Sequence, residues 1–257
     1  MTIAQITGAL EEFAPLELQD DFDNSGVQVG DIFQPLRGIL VCLDVTEEVL
    51  DEAIELDCNL IISHHPLLFK PVRTLTGKTY IERCVIEACK NDLVVYSAHT
   101  NMDNAYGGVN FHLAEKLGLQ NIRFLKPSGN GGSGAIGELV AAEDEESFLQ
   151  RIKTIFQLEN LQYSPFTGRM IREVALCGGS GAFLINDAID AGADVFLTGE
   201  ARYNDYYNVE DRILLAVLGH YESEHYTKEL FFDIISKKIP NFAIHFSNVN
   251  TNPVNYM

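Results

Sequence analysis

The stretch "NLIISHHPLLF", residues 59–69, joins a short apolar run to two adjacent histidines. A run of this length and composition is typical of a strand that is buried on both faces of a parallel sheet. An imidazole ring is costly to bury unless its nitrogens find partners, so His64 and His65 need an explanation. Pro66 restricts His65 and ends regular strand pairing, so both rings can turn into one cleft. We therefore predict a buried parallel strand that delivers two histidines to a functional cleft.

Outward from this stretch, short apolar runs alternate with amphipathic helical patterns, as in parallel βαβ units. The segment 46–57 shows the helical pattern, with Thr46 as a candidate N-cap and acidic residues in the first turn. Its apolar side chains are predicted to share one face: Val49, Leu50, Ala53 and Ile54. The first half of the chain is predicted to form strands at 37–45, 58–63 and 92–99 and helices at 46–57, 79–91 and 108–119.

The second half repeats this alternation. Strands are predicted at 135–142, 172–177, 194–197, 212–218 and 242–246, and helices at 144–156, 181–192 and 223–238. The stretch "KPSGNGGSG" (126–134) has the Gly and Ser content of a connector and is the best candidate boundary between two lobes. We predict a first lobe at 1–125 plus 216–257 and a second lobe at 126–215. The predicted fold class is α/β, two-lobed and built mainly from parallel βαβ units.

The composition of the 257-residue chain is that of an ordinary globular protein, with 46% apolar residues and a formal net charge of −19. This charge repels polyphosphates and anionic membranes, so nonspecific nucleic-acid binding is not expected and a bound cation is favoured. No apolar run reaches membrane-spanning length, and residues 1–21 have the pattern of an amphipathic helix rather than a signal peptide. We expect a cytoplasmic protein. The five cysteines form no C-x-x-C pair, which predicts buried thiols.

Polar motifs lie just past the carboxyl ends of the predicted strands. The first is the pair His64 and His65, and the others are "HTNMD" (99–103), "GGSG" (178–181), "TGE" (198–200) and "GHYESE" (219–224). In open α/β sheets this edge is where ligands bind, because the loops there converge over helix N-termini. Histidines and carboxylates that are distant in sequence can therefore be neighbours in space.

Each of these residues also has a plain structural explanation. Successive strand side chains point to opposite faces, so the two adjacent histidines could both be surface residues. Asp103 could cap a turn, and His99 could be a satisfied strand-end histidine. His220 and Glu224 are four residues apart and could be a solvated pair on one helix face. Taken together, however, three histidines and two carboxylates at converging strand ends form a ligand set that suits transition metals.

Two other patterns favour structural explanations. The stretch "HYESEH" (220–225) is not the zinc-protease helix, because its histidines are five residues apart rather than four. The stretch "CGGSG" (177–181) could hold an anion on backbone amides, but a glycine-rich strand-to-helix turn is commonly only a tight turn. Cys177 is a poor candidate nucleophile, because no histidine lies near it in sequence and it ends an apolar run.

A series of motifs in the order of the chain resembles the dinuclear metal-centre proteins labelled GTP cyclohydrolase 1 type 2 homologues. The motifs are "DNSGVQVG" (23–30), "SHHPLLF", "SAHTNMD", "CGGSG", "DVFLTGE", "GHYESE" and the closing "SNVNTNPV". The resemblance covers nearly the whole chain and implies a two-lobed α/β protein that assembles into a toroidal homohexamer, with metal pairs facing an internal cavity. Some relatives carry a large inserted domain between the lobes, and this chain is too short to contain one.

Carried over by motif, the resemblance implies five metal ligands at the strand ends between the lobes: His64, His65, Asp103, His220 and Glu224, with Glu224 bridging. Adjacent histidines can each face one of two metals about 3.5 to 4 Å apart. We expect two divalent transition-metal ions per chain, and this donor set is compatible with Zn, Mn, Fe, Co or Ni. His99 and Glu200, at strand ends on the same edge, are the candidates for ligand orientation or proton transfer.

Two functions remain open. The first is a metal-dependent hydrolase acting on a small molecule; the family label suggests GTP ring opening, although no guanine-reading motif is evident. The second is a noncatalytic metal-handling or scaffold protein that engages a partner. Only the hydrolase requires an open coordination position on the metal.

Overall fold

The computed structural model describes residues 1–257 and divides into two compact units, each built on its own mixed sheet. Unit 1 comprises Met1–Met102 and Thr227–Pro253, and unit 2 comprises Asp103–Tyr226 and Val254–Met257. The α/β class predicted from the alternating pattern is confirmed. The chain passes between the units at different residues from those of the predicted lobes, since 103–125 and 216–226 belong to unit 2.

Unit 1 has a five-stranded sheet whose strands are β1 (Gly26–Val29), β2 (Ile39–Cys42), β3 (Leu60–Ser63), β4 (Val94–Ser97) and β11 (Ile244–Phe246). The strand order is β1-β4-β3-β2-β11, and all neighbouring pairs are parallel except β1 with β4. Every side chain of β2, β3 and β4 is buried, as the continuous apolar runs predict.

The helices of unit 1 are α1 (Ile3–Phe13), α2 (Glu47–Glu55), α3 (Tyr80–Lys90), α4 (Thr100–Asp103), at whose end the chain enters unit 2, and α10 (Thr227–Lys238). A 3-10 turn, Leu16–Leu18, follows α1. Thr46 caps α2 as predicted, because its side-chain oxygen accepts a hydrogen bond from the backbone N–H of Val49. Ile54 departs from the predicted apolar face of α2: its side chain is exposed, while Leu50 and Ala53 are buried.

Unit 2 has a six-stranded sheet whose strands are β5 (Gln120–Ser128), β6 (Gly131–Asp144), β7 (Gln162–Tyr163), β8 (Met170–Cys177), β9 (Val195–Thr198) and β10 (Leu214–Val217). The order is β5-β6-β8-β9-β10-β7. Only β8, β9 and β10 run parallel, so the predicted repeat of the first architecture holds for the centre of this sheet alone. The flanking strands pair in antiparallel fashion.

The helices of unit 2 are α5 (Val109–Lys116), α6 (Glu145–Ile155), α7 (Ile185–Asp190), α8 (Asp205–Asn208) and α9 (His220–Glu224). A 3-10 turn, Gly181–Leu184, precedes α7. The predicted helix 223–238 is two helices, since α9 ends at Glu224 and α10 begins at Thr227. None of the helices in either unit is long and apolar enough to cross a membrane.

The Gly- and Ser-rich stretch 126–134 is not a connector but the tip of the β5–β6 hairpin. Ser128 pairs with Gly131, and Gly129 adopts a φ of +54°, which a side chain would strain. Gly132 packs so closely on Phe124 that there is no room for a Cβ. The glycines therefore serve a tight turn and a close strand contact, which the same composition also predicts.

None of the five cysteines forms a disulfide, and four of them are buried as predicted. Cys89 is the exception, because its side chain on α3 is exposed. Burial raises the pKa of the Cys58 thiol to about 11 and that of Cys84 to about 12. These two thiols are therefore protonated and unreactive at neutral pH.

Candidate metal centre

Three histidines of unit 1 converge at the carboxyl edge of its sheet. One ring nitrogen from each of His64, His65 and His99 lies within 4.8 Å of the other two. The parallel register of β3 and β4 explains this convergence, since Ser63 pairs with Ser97 and the residues that follow both strands emerge together. The two serine hydroxyls share a hydrogen bond of 2.8 Å. The predicted meeting of sequence-distant histidines is thus observed within this unit.

Each ring in this group has its Nδ1 atom against an oxygen acceptor. Nδ1 of His64 lies 2.9 Å from the carbonyl oxygen of Ala98. Nδ1 of His65 lies 2.7 Å from Oδ1 of Asp44, and Nδ1 of His99 lies 2.7 Å from Oδ1 of Asp23. A carbonyl or ionised carboxylate only accepts, so each Nδ1 carries the proton. The neutral form of each ring therefore presents its lone pair at Nε2, the arrangement found in histidines that bind metals.

The two carboxylates that hold these rings are themselves held by hydroxyl groups. The Thr251 hydroxyl donates to Oδ2 of Asp44 over 2.7 Å. The hydroxyls of Thr100 and Ser25 both donate to Oδ2 of Asp23, whose side chain is fully buried. Burial acts to raise the pKa of Asp23, but the hydrogen bonds from His99, Thr100 and Ser25 outweigh it and keep that pKa well below its usual range. Asp23 is therefore ionised at neutral pH.

The pKa of Asp44 follows the same logic. Burial acts to raise it, and the hydrogen bond with His65 and the hydroxyl of Thr251 lower it further than burial raises it. A carboxylate that stays ionised beside Nδ1 increases the basicity of the opposite ring nitrogen. Asp44 thus makes Nε2 of His65 a stronger electron-pair donor, and Asp23 does the same for Nε2 of His99.

Unit 2 contributes a second group, which is built on α9. His220 and Glu224 lie on one face of this helix, and Nε2 of His220 is 3.0 Å from Oε2 of Glu224. Nδ1 of His220 lies 2.9 Å from Oε1 of Glu200, which follows β9. With Nδ1 donating to Glu200, the short distance between Nε2 and the Glu224 carboxylate calls for a proton or another cation between them.

Glu200 holds His220 as the aspartates hold their histidines in unit 1. The Ser180 hydroxyl donates to Oε2 of Glu200 over 2.7 Å. This hydrogen bond, together with the one to His220, keeps the pKa of Glu200 below its ordinary value. Glu200 therefore fixes the orientation of the His220 ring through this hydrogen bond.

Three backbone amides of the "CGGSG" loop donate hydrogen bonds to side chains of the same unit. Each of these hydrogen bonds is 3.0 Å long: the amide of Gly178 donates to Oδ1 of Asn110, that of Gly179 to Oγ of Ser223 and that of Gly181 to Oγ1 of Thr198. An anion would have to displace these hydrogen bonds, so the tight-turn explanation is favoured over the anion cradle.

Gly179 has a more specific role than turning the chain. A Cβ atom at this position would overlap Oε1 of Glu224 and lie 3.3 Å from Nε2 of His220. The absence of a side chain therefore leaves room for the carboxylate beside the ring. This function of the loop is not evident in the sequence, where the glycines and α9 are far apart.

Asp103, the remaining predicted ligand, ends α4, and its backbone carbonyl accepts a hydrogen bond of 3.2 Å from the Asn110 side chain. Sequence reasoning missed the two aspartates that hold the histidines. Asp44 had a usable signal, because it lies just past β2 at the same edge as the histidines. Asp23 lies in "DNSGVQVG" before β1, and no strand-end rule points to it.

Comparisons with known proteins place this geometry in a family. A Clostridium perfringens protein named GTP cyclohydrolase 1 type 2 homolog is 37% identical over 230 residues, which is 87% of either chain. A Clostridium acetobutylicum protein of the same name is 33% identical over 257 residues, 98% of this chain and 94% of that protein. The crystal structure of a Bacillus cereus protein related to NIF3 matches with a TM-score of 0.92 and 25% identity, over 100% of this chain and 99% of that one.

A family profile described as Duf34/NIF3 (NGG1p interacting factor 3) matches residues 1–253, almost the entire chain. The fold of both units, the full-length structural match and the level of identity to relatives agree with this assignment. The resemblance inferred from the sequence motifs is thereby confirmed: this chain belongs to the DUF34/NIF3 family.

Proposed function

We propose that this protein binds two divalent transition-metal ions and acts as a metal-dependent hydrolase on a small molecule. The observation that carries the proposal is the state of the rings of His64, His65, His99 and His220. Each has Nδ1 against an oxygen acceptor, which directs the lone pair of the neutral ring to Nε2. Surface histidines have no reason to share one tautomer, whereas metal-binding histidines do.

The residues present fit such ions. Imidazole nitrogens and carboxylate oxygens suit Zn, Mn, Fe, Co or Ni, and the space left by Gly179 accommodates the Glu224 carboxylate next to His220. We propose that the two groups serve one dinuclear centre with the ligands that the family resemblance implies: His64, His65, Asp103, His220 and Glu224. In this assignment Glu224 bridges the two ions.

A metal pair of this kind would supply a Lewis acid and would lower the pKa of water to near neutrality. The protein residues then have separate tasks. We assign to His99, which the ionised Asp23 holds beside the other two rings, the task of accepting or releasing a proton at Nε2. Glu200 fixes the ring of His220, and Asp44 fixes that of His65. Hydrolysis is the reaction class that these tasks serve.

Aromatic residues at the surface of unit 2 favour a second candidate function, a noncatalytic metal-handling or scaffold protein. Tyr203 and Tyr207 are 75% and 67% exposed, and Tyr163 stacks on Phe166 with ring centroids 5.3 Å apart. Exposed tyrosines are enriched in protein interfaces. The name of the family profile also refers to an interacting factor. A scaffold would need the metal only for structure.

Assembly is part of the same proposal. We propose a homohexamer, as the resemblance implies, and the exposed aromatic residues of unit 2 are compatible with buried subunit faces. Light scattering should then give about six times the chain mass of 28.6 kDa. A monomer mass at micromolar concentration would refute the hexamer.

The experiment that separates the two functions uses metal-loaded and chelator-treated protein side by side. Elemental analysis of protein purified without chelator should find about two metals per chain. A panel of small esters, amides, phosphate esters and nucleotides, GTP among them, should then contain a substrate that only the metal-loaded protein turns over. Two retained metals without any turnover would favour the scaffold, and occupancy at or below one per chain would refute the dinuclear centre.

A further inference from the structure

The segment between β3 and α3 has a charge opposite to that of the whole protein. Between Asp57 and Glu82 there is no acidic residue, although the sequence contains 37 Asp and Glu against 18 Lys and Arg. The same segment contains Lys70, Arg73 and Lys78, whose side chains form no ion pair or hydrogen bond. Cations elsewhere in unit 1 commonly bind carboxylates, as in the pairs Arg37–Asp57, Arg83–Glu47 and Lys238–Glu12.

Part of this segment forms the wall of a cavity of about 800 Å³ in unit 1. The cavity is lined by 22–24, 68–69, 71–75 and Val85. Its apolar side chains are unusually accessible: Phe22 is 66% exposed, Leu75 54% and Phe69 42%. The volume lies within the roughly 300–1,000 Å³ of typical small-molecule sites, and exposed aromatic residues in a concave wall are typical of them.

Arg73 is the charged group that this cavity presents. The only other charged residue in the lining is Asp23. Its side chain is fully buried, and its carboxylate is taken up by His99, Thr100 and Ser25. The cavity therefore combines aromatic walls with one accessible guanidinium, a group that pairs well with carboxylates and phosphates.

The loop that carries Arg73 is anchored at both ends and unbonded between them. The Leu68 backbone is fixed by Gln28 and Asn24, and the Thr76 backbone is fixed by Glu82. Residues 69–75 form no hydrogen bond within the protein. This part of the wall can adapt to a ligand without breaking structure.

The cavity adjoins the histidine group. The rings of Phe69 and His99 meet edge to face with centroids 6.0 Å apart, and Phe22 meets Phe69 in the same manner at 6.2 Å. Asp23 lines the cavity and also holds His99. A ligand in the cavity would therefore lie next to the residue assigned to proton transfer.

We propose that this cavity binds a small aromatic anion, with its ring against Phe22 and Phe69 and its carboxylate, phosphate or phosphonate paired with Arg73. The proposal names the substrate class of the hydrolase, and in that respect it rests on the proposed function. The binding itself depends only on unit 1. An electrostatic contact to a single guanidinium at this site also explains how so acidic a protein accepts an anion.

Calorimetric titration with defined probes tests the proposal. Phenylphosphonate and benzoate carry both features, benzyl alcohol lacks the charge, and inorganic phosphate lacks the ring. We expect saturable binding of at least one aromatic anion, and affinities about tenfold or more lower for benzyl alcohol and phosphate. The comparison of phenylphosphonate with benzoate tells which anionic group is preferred. Absence of saturable binding by wild-type protein would overturn the proposal.

Three variants assign the binding to this cavity. Arg73→Gln should weaken the aromatic anion by about tenfold or more, and Arg73→Lys should restore part of the loss. Lys237→Gln is the matched control, because Lys237 is also exposed and forms no side-chain hydrogen bond or ion pair, but lies on α10 away from the cavity lining. Unchanged affinity in Arg73→Gln, or an equal loss in Lys237→Gln, would overturn the proposal.

Two further measurements keep this result apart from the metal proposal. Chelator-treated protein should still bind phenylphosphonate with Arg73-dependent affinity, whatever its metal content. Failure of metal retention would refute the metal centre alone, and failure of Arg73-dependent binding would refute the cavity alone. If another copy of the chain occupies the cavity instead, Phe22→Ala should change the oligomeric mass, and wild-type protein should bind none of the probes. That result would also overturn the proposal.

Discussion

The contact between Gly179 and Glu224 allows a mutation that separates metal binding from fold stability. Gly179 has a φ of +55°, and a Cβ there would overlap Oε1 of Glu224. Gly129, at the tip of the β5–β6 hairpin, has a φ of +54°, and a Cβ there would meet nothing within 4 Å. Ala at either position therefore suffers the same backbone strain, roughly 1–2 kcal/mol in the free energy of unfolding. Only Gly179→Ala also displaces the carboxylate.

The displacement should appear as lost metal affinity rather than as unfolding. The overlapped atom is the end of a flexible side chain, so Glu224 can rotate away from the new methyl group. Its carboxylate then leaves the position beside Nε2 of His220, 3.0 Å away in the native arrangement. Metal ligands held away from their native geometry commonly lose about tenfold to a hundredfold in affinity. We expect that loss in Gly179→Ala and none in Gly129→Ala.

The assay measures the free energy of unfolding and the metal affinity of Gly179→Ala and of Gly129→Ala. Urea unfolding gives the strain, and elemental analysis after dialysis against graded chelator gives the metal affinity. Similar destabilisation of the two variants, with metal loss confined to Gly179→Ala, would support Glu224 as a ligand. Wild-type metal affinity in folded Gly179→Ala, or equal metal loss in Gly129→Ala, would show that the glycine has no part in the centre.

Three other predictions follow from the same geometry. Glu224→Gln should weaken both metal sites, whereas Asp103→Ala should mainly empty the site shared with His64. The measurement is the metal content of each variant after dialysis at matched pH, and two ions retained by folded Glu224→Gln would contradict the bridging role. Glu200→Gln should lower metal affinity about tenfold to a hundredfold, because the substitution weakens the hydrogen bond that orients the ring of His220. The unfolding midpoint should change little, and unchanged metal affinity would refute the orienting role. Hydrogen bonds from the backbone and hydroxyl of Thr76 hold the pKa of Glu82 below its ordinary value. The ionised Glu82 carboxylate therefore stabilises the fold above about pH 4.3, and this contribution is lost as pH falls through the lowered pKa. The stability advantage of wild type over Glu82→Gln in thermal melts should therefore shrink between pH 5 and 3, and a constant difference would contradict it.

The strands that carry the site could be predicted because their signals are local. The segments 58–63 and 92–99 each contain a continuous apolar run, at 60–62 and 93–96, and the structure places β3 and β4 inside these segments. Because both strands are parallel and adjacent, the position of the histidines after them followed from chain direction alone. The hairpin at 126–134 was missed because Gly and Ser favour a connector and a tight turn equally. Pairing of Ser128 with Gly131 is a tertiary choice that composition does not reveal.

The orienting residues could be predicted only in part, for a different reason. Glu200 follows β9, so the strand-end rule pointed to it, and its role depends on a hydrogen bond to a helix twenty residues away in sequence. Asp23 reaches His99 across 76 residues of sequence, and Thr251 reaches Asp44 across 207. No periodicity or spacing rule encodes contacts of that range. They become visible only when the chain is folded.

Those long-range contacts also fix the tautomers of the histidines in the proposed metal centre. An isolated imidazole interconverts between two tautomers, and a metal ion must select the one with a free Nε2 lone pair. In this protein the selection is made by Asp44, Asp23 and Glu200, which accept from Nδ1 and stay ionised. Each carboxylate is in turn oriented by at least one hydroxyl. The strands of unit 1 and helix α9 of unit 2 therefore determine where the rings lie, and the acceptors at Nδ1 determine which nitrogen each ring offers. Binding of a cation at Nε2 would then require little reorganisation of the rings.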